Sequence, residues 1–281
     1  MKSHYVDSSR EDFAYSPVRF DYFRASVQGT FWGIVDALGA DLDAGEPSPV
    51  RGDHGYGMGL TLPTEQRGTV VVLRPGQHEQ PSVRLSGWPT DVGVETLRRE
   101  FSRAESRASR VDAALDFEGD PSPIIEGIQS YAVDHGMKRA AYFVGGDSTG
   151  VEIGAGSSES RLRCYDAALK HPGEFARPTT RLEHEFKPGT RDRKSWAWSA
   201  SAESVLGTSR AASEVLATAG RLLPSAPART RRTGDFEAWL VWLAQTQGQR
   251  LDELLALVDG DLGEAFAMLR QPEVMLARLA G

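Results

Sequence analysis

Hydrophobic and polar residues alternate along much of the chain, which is typical of strands that bury one face against a core. Apolar residues at helical spacing alternate with these stretches and predict helices over 28–38, 91–109, 121–135 and 194–223. This mixture predicts an α+β fold, a mostly antiparallel sheet with helices on one face. The predicted strands span residues 18–27, 69–74, 82–86, 110–117, 139–145, 149–154, 160–166 and 179–187.

A change of composition near residue 224 divides the chain. Residues 224–234 are rich in Pro, Ala, Ser and Arg, which is typical of a linker. It separates a predicted main domain, 13–223, from a small acidic helical appendage, 235–281. Residues 233–281 hold eight acids and three bases, so they carry −5 of the net charge of −7. The main domain is thus near neutral, and bulk charge neither supports nor excludes DNA binding.

The chain shows no signal for a membrane or an oxidising compartment. No apolar run approaches the roughly 18 residues of a membrane span, and the first twelve residues are polar. The single cysteine, Cys164, permits neither an internal disulfide nor a cluster of thiolate metal ligands. We therefore expect a cytoplasmic protein with no membrane partner.

Three predicted strands are apolar on one face and charged on the other. For one such strand, an ordinary solvent-exposed face is the simpler interpretation. Three strands whose charged groups complement one another favour a shared site, provided that they lie in one sheet. The residues on the charged faces are Asp112, Asp116, Arg161, Arg163, Tyr165, Arg181, Glu183, Glu185 and Lys187.

These groups suit phosphodiester transfer. Carboxylates are the ligands that a hard cation such as Mg²⁺ or Mn²⁺ prefers, and that ion would polarise the phosphate. Tyr165 would be the nucleophile, and ionising a phenol of pKa near 10 at pH 7 costs about 4 kcal/mol. We expect Arg163 and the metal to lower that cost.

Strand geometry limits which carboxylates can share one ion. At about 3.3 Å per residue, Asp112 and Asp116 stand roughly 13 Å apart along a straight strand. Glu183 and Glu185 are about 6.6 Å apart by the same rule, and a cross-strand neighbour lies about 5 Å away. We therefore expect Asp112 and Glu183 as the core metal ligands, with Asp116 and Glu185 as outer or alternative ligands.

Three motifs occur in order along these strands. They are an Arg-x-Asp-x-Ala-x-Asp strand at 110–116, a Ser-rich stretch leading to Arg-x-Tyr-Asp at 163–166, and Arg-x-Glu at 181–183. With Phe20-Asp-Tyr22-Phe-Arg24 and Leu85-Ser86-Gly87, they resemble the replication initiation factor family over about residues 18–190. That family includes rolling-circle plasmid initiators, phage initiators and relaxases of integrative elements.

The resemblance implies a sequence-specific enzyme that nicks and joins single-stranded DNA to start rolling-circle replication or transfer. Tyr165 would become linked to the 5′ phosphate, with Arg163 and Arg181 assisting and the carboxylates carrying the metal. Single-stranded or cruciform origin DNA is the expected partner. A host helicase, bound through the C-terminal helices, and a second copy of the chain are further candidates. The expected DNA contacts are Arg161, Lys170, Lys187, Arg191 and Arg193.

The chain departs from the family pattern directly after the nucleophile. Lys-Gly usually follows Tyr-Asp, whereas Ala167-Ala168 stands here, so a cation is missing that Lys170 or Lys187 would have to replace. This departure keeps open a DNA-binding protein of the same fold with weakened catalysis. A structural phage protein with merely solvated polar faces is a third alternative.

Three other features carry structural expectations. Trp196 and Trp198 either pack in the core or stack on unpaired bases, and packing is the favoured interpretation. His184 alternates toward the apolar face of its strand, which predicts a core residue. The arginines at 99, 103, 107 and 110 predict either a solvated helix face or an edge that follows phosphates.

Overall fold

One antiparallel sheet of ten strands organises the chain, and its order is β2-β3-β4-β5-β1-β6-β10-β9-β8-β7. The computed structural model describes residues 16–224, except 103, 138–139, 146–147, 172, 174, 176 and 219, together with residue 256. The strands are β1 (Arg19–Ser26), β2 (Ser48–Val50), β3 (Gly59–Leu62), β4 (Gly68–Leu73), β5 (Ser82–Gly87), β6 (Arg107–Glu118), β7 (Ala140–Gly145), β8 (Ser148–Ile153), β9 (Ser160–Asp166) and β10 (Thr179–Phe186).

Helices cover the apolar face of this sheet, as the α+β prediction requires. Apolar side chains of β6 such as Val111 and Leu115 are fully buried in one core with residues of six helices. Only α4 contributes no residue to that core among the described helices. The helices are α1 (Phe31–Asp41), α2 (Thr90–Glu100), α3 (Ser122–Asp134), α4 (Ala167–Lys170), α5 (Arg191–Ser199), α6 (Ala202–Leu206) and α7 (Arg210–Thr218).

The tryptophans of α5 belong to this core. Trp198 is fully buried and lies 5.9 Å from the ring of Phe23, and Trp196 meets Phe186 edge-on at 5.8 Å. The interpretation of Trp196 and Trp198 as packing residues is therefore confirmed.

The helix predicted over 91–109 was wrong beyond residue 100. α2 ends at Glu100, Phe101 is extended, and β6 begins at Arg107. A Cβ on Gly29 would lie 2.7 Å from the Phe101 ring, so the glycine leaves the space that this ring fills. Packing of Phe101 and pairing of β6 with β1 outweigh the helical spacing. Arg99, Arg107 and Arg110 consequently share no helix face.

Other boundaries also differ from the predictions. The region 194–223 forms three helices, because capping serines or threonines such as Ser201 start new ones. The predicted loop 39–59 contains the edge strand β2, and β3 was not predicted. The predicted linker and appendage, 224–234 and 235–281, lie outside the described residues apart from Pro224 and Ala256, so these domain boundaries stay a prediction.

All elements named above lie in the first of two units into which contacts divide the chain, Met1–Ala226 and Pro227–Gly281. In the part of the chain that the structure describes, every helix is too short or too polar to cross a membrane.

His184 ties β10 to two neighbouring elements from within the core. Its Nδ1 lies 2.9 Å from the carbonyl oxygen of Val205 on α6, and its Nε2 lies 2.8 Å from the hydroxyl of Ser160 on β9. The ring is fully buried, which confirms the predicted core position. Burial lowers the pKa of His184 to about 4, so the imidazole is neutral at pH 7.

Lowering the pH should remove the stability that the neutral, buried imidazole of His184 contributes. The pKa of His184 is lower in the folded chain, about 4, than its ordinary value of 6.5. Its contribution to stability is therefore complete above pH 6.5 and is lost as the pH falls toward 4, by about 3 kcal/mol in total. Urea unfolding of the wild type and of His184→Gln at pH 7 and pH 4.5 measures this contribution to stability. We expect the wild type to be more stable at pH 7 and its advantage to shrink at pH 4.5. An advantage of constant size would contradict the buried neutral imidazole.

Candidate active site

β6, β10 and β9 are neighbours in the sheet, which brings their charged faces together as the alternation predicts. Tyr165 lies opposite Arg181, and Arg163 lies opposite Glu183. On the other side of β10, Glu185 lies opposite Asp112. The three strands therefore supply one continuous polar surface.

A cleft of about 380 Å³ opens on this surface. Among its described lining residues, basic side chains outnumber acidic ones by six to three. This surplus favours an anionic ligand such as a phosphate group. The basic residues are Arg19, Arg67, Arg110, Arg163, Lys170 and Arg181, and the acidic residues are Asp21, Asp112 and Glu183.

Tyr165 lies in the cleft with its hydroxyl bonded to a carboxylate. The hydroxyl donates to Oε2 of Glu183 at 3.0 Å, and Arg163 forms an ion pair with the other oxygen of that carboxylate. A carboxylate in this position can accept the phenolic proton, which is the geometry of a general base beside a nucleophile.

The side chains around Tyr165 do not lower its pKa as expected, and the lowering expected from a metal ion stays a prediction. Burial, and after it the negative charge of Glu183, raise the pKa of Tyr165 well above its usual value, and Arg181 only partly opposes them. The side chain is 3% exposed, and the Arg163 charge is engaged by Glu183. The phenol therefore stays protonated at neutral pH and needs a proton acceptor in order to react.

Lys170 supplies the cation that the sequence lacks after Asp166. The carboxylate of Asp166 caps α4 by accepting from the backbone of Leu169 at 2.9 Å, and this helical turn carries Lys170 back over Tyr165. The Lys170 ammonium lies 4.0 Å from the centroid of the Tyr165 ring. Burial lowers the pKa of Lys170. The other candidate, Lys187, instead pairs with Glu185 at 2.6 Å.

The predicted metal ligands are held by basic side chains. Arg110 binds Asp112 through two hydrogen bonds of 2.9 and 2.5 Å and reaches Glu185 at 2.8 Å. Arg181 binds Asp116 through two bonds of 2.6 and 2.9 Å. Among the residues that the structure describes, no group of three or more carboxylate, histidine or cysteine side chains is arranged to hold a metal ion.

Asp112 and Glu183, the expected core metal ligands, lie diagonally from each other on the neighbouring strands β6 and β10. Glu183 lies opposite Ala114, while Asp112 faces Glu185. An ion between Asp112 and Glu183 would require Arg110 and Arg163 to release them, so the carboxylates as arranged fit guanidinium groups and not a divalent cation. Burial, together with the charges of Glu183 and Glu185, raises the pKa of Asp112 to about 7 against the opposing effect of Arg110. Binding of Mg²⁺ or Mn²⁺ stays a prediction.

Of the five predicted DNA contacts, Lys170 is the one that lines the cleft of Tyr165 within the described structure. Arg161 pairs with Glu152 at 2.5 Å, and Lys187 also donates to the carbonyl of Gly156 at 2.8 Å. Arg193 pairs with Glu159 and covers the ring of Phe186 at 4.9 Å. Arg191 lines a separate cleft of about 510 Å³.

Several residues of the cleft were not predicted. Arg110 and Tyr22 lie within the motifs of the resemblance, and the Arg110 guanidinium lies 4.5 Å from the centroid of the Tyr22 ring. Arg19 and Trp88 pair in the same way at 4.8 Å. Strand alternation cannot find Trp88, because Gly87-Trp88-Pro89 reads as a break between elements.

No protein-family model and no curated protein matches this chain. Among solved structures it is similar to that of a rolling circle replication initiator protein from Geobacillus stearothermophilus, with a TM-score of 0.49 and 15% sequence identity. The similarity covers 76% of this chain and 89% of that one. The neighbour is of the class that the sequence motifs resemble, but so distant a likeness does not indicate what this chain binds or catalyses.

The Arg110 ion pairs should be essential to stability. Asp112 is 2% exposed as a side chain, so removing Arg110 leaves its buried charge uncompensated, whereas Glu185 keeps its ion pair with Lys187. We expect Arg110→Gln to lower the free energy of unfolding by about 3 kcal/mol, measured with urea at pH 7. Adding Asp112→Asn should recover part of the loss.

A surface ion pair provides the control for this prediction. Arg177 and Glu118 are 72% and 52% exposed, and Arg177→Gln should change stability by less than about 1 kcal/mol. Equal losses in Arg110→Gln and Arg177→Gln would show that the Arg110 network is not holding the strands.

Proposed function

We propose that this protein nicks and rejoins one strand of DNA through a 5′-phosphotyrosine at Tyr165 and so starts rolling-circle replication or transfer. The observation that supports this most is the Tyr165 hydroxyl, bonded to Glu183 at 3.0 Å inside a cleft with a surplus of basic side chains. The ordered motifs on the same strands provide the link to replication initiation.

The chemical step follows from the positions of these groups. The Tyr165 oxygen attacks the phosphorus as its proton passes to Oε2 of Glu183. A bond forms between this oxygen and phosphorus, and the bond from phosphorus to the 3′ oxygen breaks. The leaving oxygen takes a proton from solvent and becomes a free 3′ hydroxyl. Joining is the reverse attack by a 3′ hydroxyl, with the proton returned to the tyrosine.

Basic side chains stabilise the charge that this step builds on the phosphate. Arg163 and Arg181 line the cleft with Tyr165 and present guanidinium groups, which match two phosphoryl oxygens at once. Lys170 adds a charge beside the phenol ring. Because Arg163 and Arg181 already pair with Glu183 and Asp116, the incoming phosphate has to share them.

Burial of the nucleophile favours one alternative function. Tyr165 is only 3% exposed, and Lys170 lies over its ring. With Ala167-Ala168 in place of the usual Lys-Gly, these features fit an origin-binding or regulatory DNA-binding protein that no longer cleaves.

The expected partners of the protein are those named from the sequence. Single-stranded or cruciform origin DNA is the substrate, and a host helicase and a second copy of the chain are its expected protein partners. Dependence on Mg²⁺ or Mn²⁺ stays a separate prediction from the sequence, and the step described above does not rely on it.

A covalent adduct tests the proposal directly. Single-stranded fragments tiled across the DNA around the protein's own gene, labelled at the 3′ end, should become linked to the protein and shift in a denaturing gel. We expect Tyr165→Phe to abolish the adduct and Glu183→Gln to slow its formation by about 100-fold or more, because the proton acceptor is lost. The matched control is Tyr22→Phe, which removes another hydroxyl that lines the cleft.

Two results would point elsewhere. An adduct that persists in Tyr165→Phe would refute this nucleophile. Specific binding of an origin fragment without any adduct, even at saturating Mn²⁺, would favour the non-cleaving alternative. Running each reaction with EDTA or with Mn²⁺ tests the predicted metal dependence separately, because an adduct that forms in EDTA contradicts it.

A further inference from the structure

Trp88 is an exposed aromatic residue in the cleft of Tyr165. Its side chain is 49% exposed, although the Arg19 guanidinium lies 4.8 Å from the centroid of its ring. Arg19 is itself held by Asp21 at 3.2 Å and Asp116 at 3.5 Å. An aromatic ring that is half open to solvent in a cleft with surplus basic side chains is accessible for stacking by a ligand.

The backbone holds Trp88 in a fixed position. Its N–H donates to the carbonyl of Arg67 at 3.0 Å, and Gly87 before it has a φ of +73°, which favours glycine. A Cβ on Gly68 would lie 2.2 Å from the carbonyl oxygen of Ser86 and 2.5 Å from Pro89 Cδ. The start of β4 and the end of β5 therefore pack closely against each other next to Trp88. A backbone held in this way loses little freedom when the side chain that it carries binds a ligand.

We propose that Trp88 stacks on one unpaired base of the DNA strand whose phosphate is presented to Tyr165. This inference rests on the proposed function, and it identifies how the substrate is read beside the attacked phosphate. Arg19 and Arg67 line the same part of the cleft and contact the backbone of that nucleotide, while the ring takes its base. Phosphate contacts combined with aromatic stacking are the usual means of holding a single strand.

The ligand is an unpaired base because paired bases are already covered by their neighbours in a duplex. An aromatic ring at the edge of a cleft can lie flat only on a base that has left the stack. The proposal therefore gives Trp88 a part in selecting single-stranded or extruded DNA.

The experiment places 2-aminopurine at successive positions of an oligonucleotide that wild-type protein binds. We expect fluorescence quenching at one position next to the nick site. Trp88→Leu should remove that quenching and weaken binding about tenfold, while Trp88→Phe should keep most of both, because stacking needs an aromatic ring. Binding of a blunt duplex of the same sequence should change little.

Trp32 offers a matched control elsewhere on the chain. It is 55% exposed, and the Arg74 guanidinium lies 5.3 Å from its ring, but it is on α1 and does not line this cleft. Trp32→Leu should leave both quenching and affinity unchanged. Circular dichroism and thermal melting show that each variant is folded.

The outcomes separate this inference from the function on which it rests. If wild-type protein binds no single-stranded DNA, both are overturned. If wild type binds and Trp88→Leu keeps its affinity and its quenching, the stacking role alone is overturned. An equal loss of duplex and single-strand affinity in Trp88→Leu, with no quenching position in the wild type, also overturns it.

Discussion

Pairing of buried carboxylates with basic side chains is the constraint on which the polar half of this fold depends. Glu183 and Glu185 on β10 and Asp112 on β6 are at most 4% exposed, and a buried carboxylate without a partner costs several kcal/mol. Arg163 on β9 pairs with Glu183 across strands, and Arg110 on β6 pairs with Glu185 across strands and with Asp112 on its own strand. A slip of one residue between strands would turn these groups toward the apolar core, so the ion pairs and the core select the same register.

The same network positions Tyr165, the proposed nucleophile, and occupies the basic groups that the proposed substrate would use. Glu183 is held by Arg163 and in turn accepts the bond from Tyr165, so the proton acceptor of the proposed reaction is also a structural member of the sheet. A phosphate that enters the cleft competes with Glu183 and Asp116 for Arg163 and Arg181. Binding energy from elsewhere on the strand, such as a base stacked on Trp88, is what can offset that competition.

Sequence patterns predicted the parts of the structure that repeat and missed those that depend on packing. Alternation found the charged faces around Tyr165 and Glu183, because a strand has a fixed period of two. It could not find Phe101, whose place beside Gly29 ends a helix that spacing alone continues. It also could not pair side chains, so it gave no sign that Arg193 pairs with Glu159 and covers Phe186. Trp88 was missed because it lies directly after β5, outside any repeating pattern.

The net charge of the chain is negative, whereas the side chains that line the cleft are mostly basic. The charge of the cleft determines which ligands it can bind. The chain carries −7 overall, of which −5 comes from residues 233–281. Charges exposed to solvent act over about 8 Å at physiological ionic strength, so a phosphate responds to the residues that line the cleft. Six basic residues against three acidic ones line it within the described structure, and low-dielectric walls strengthen their effect. An acidic protein can therefore present a cationic site, and its isoelectric point says little about an anionic substrate.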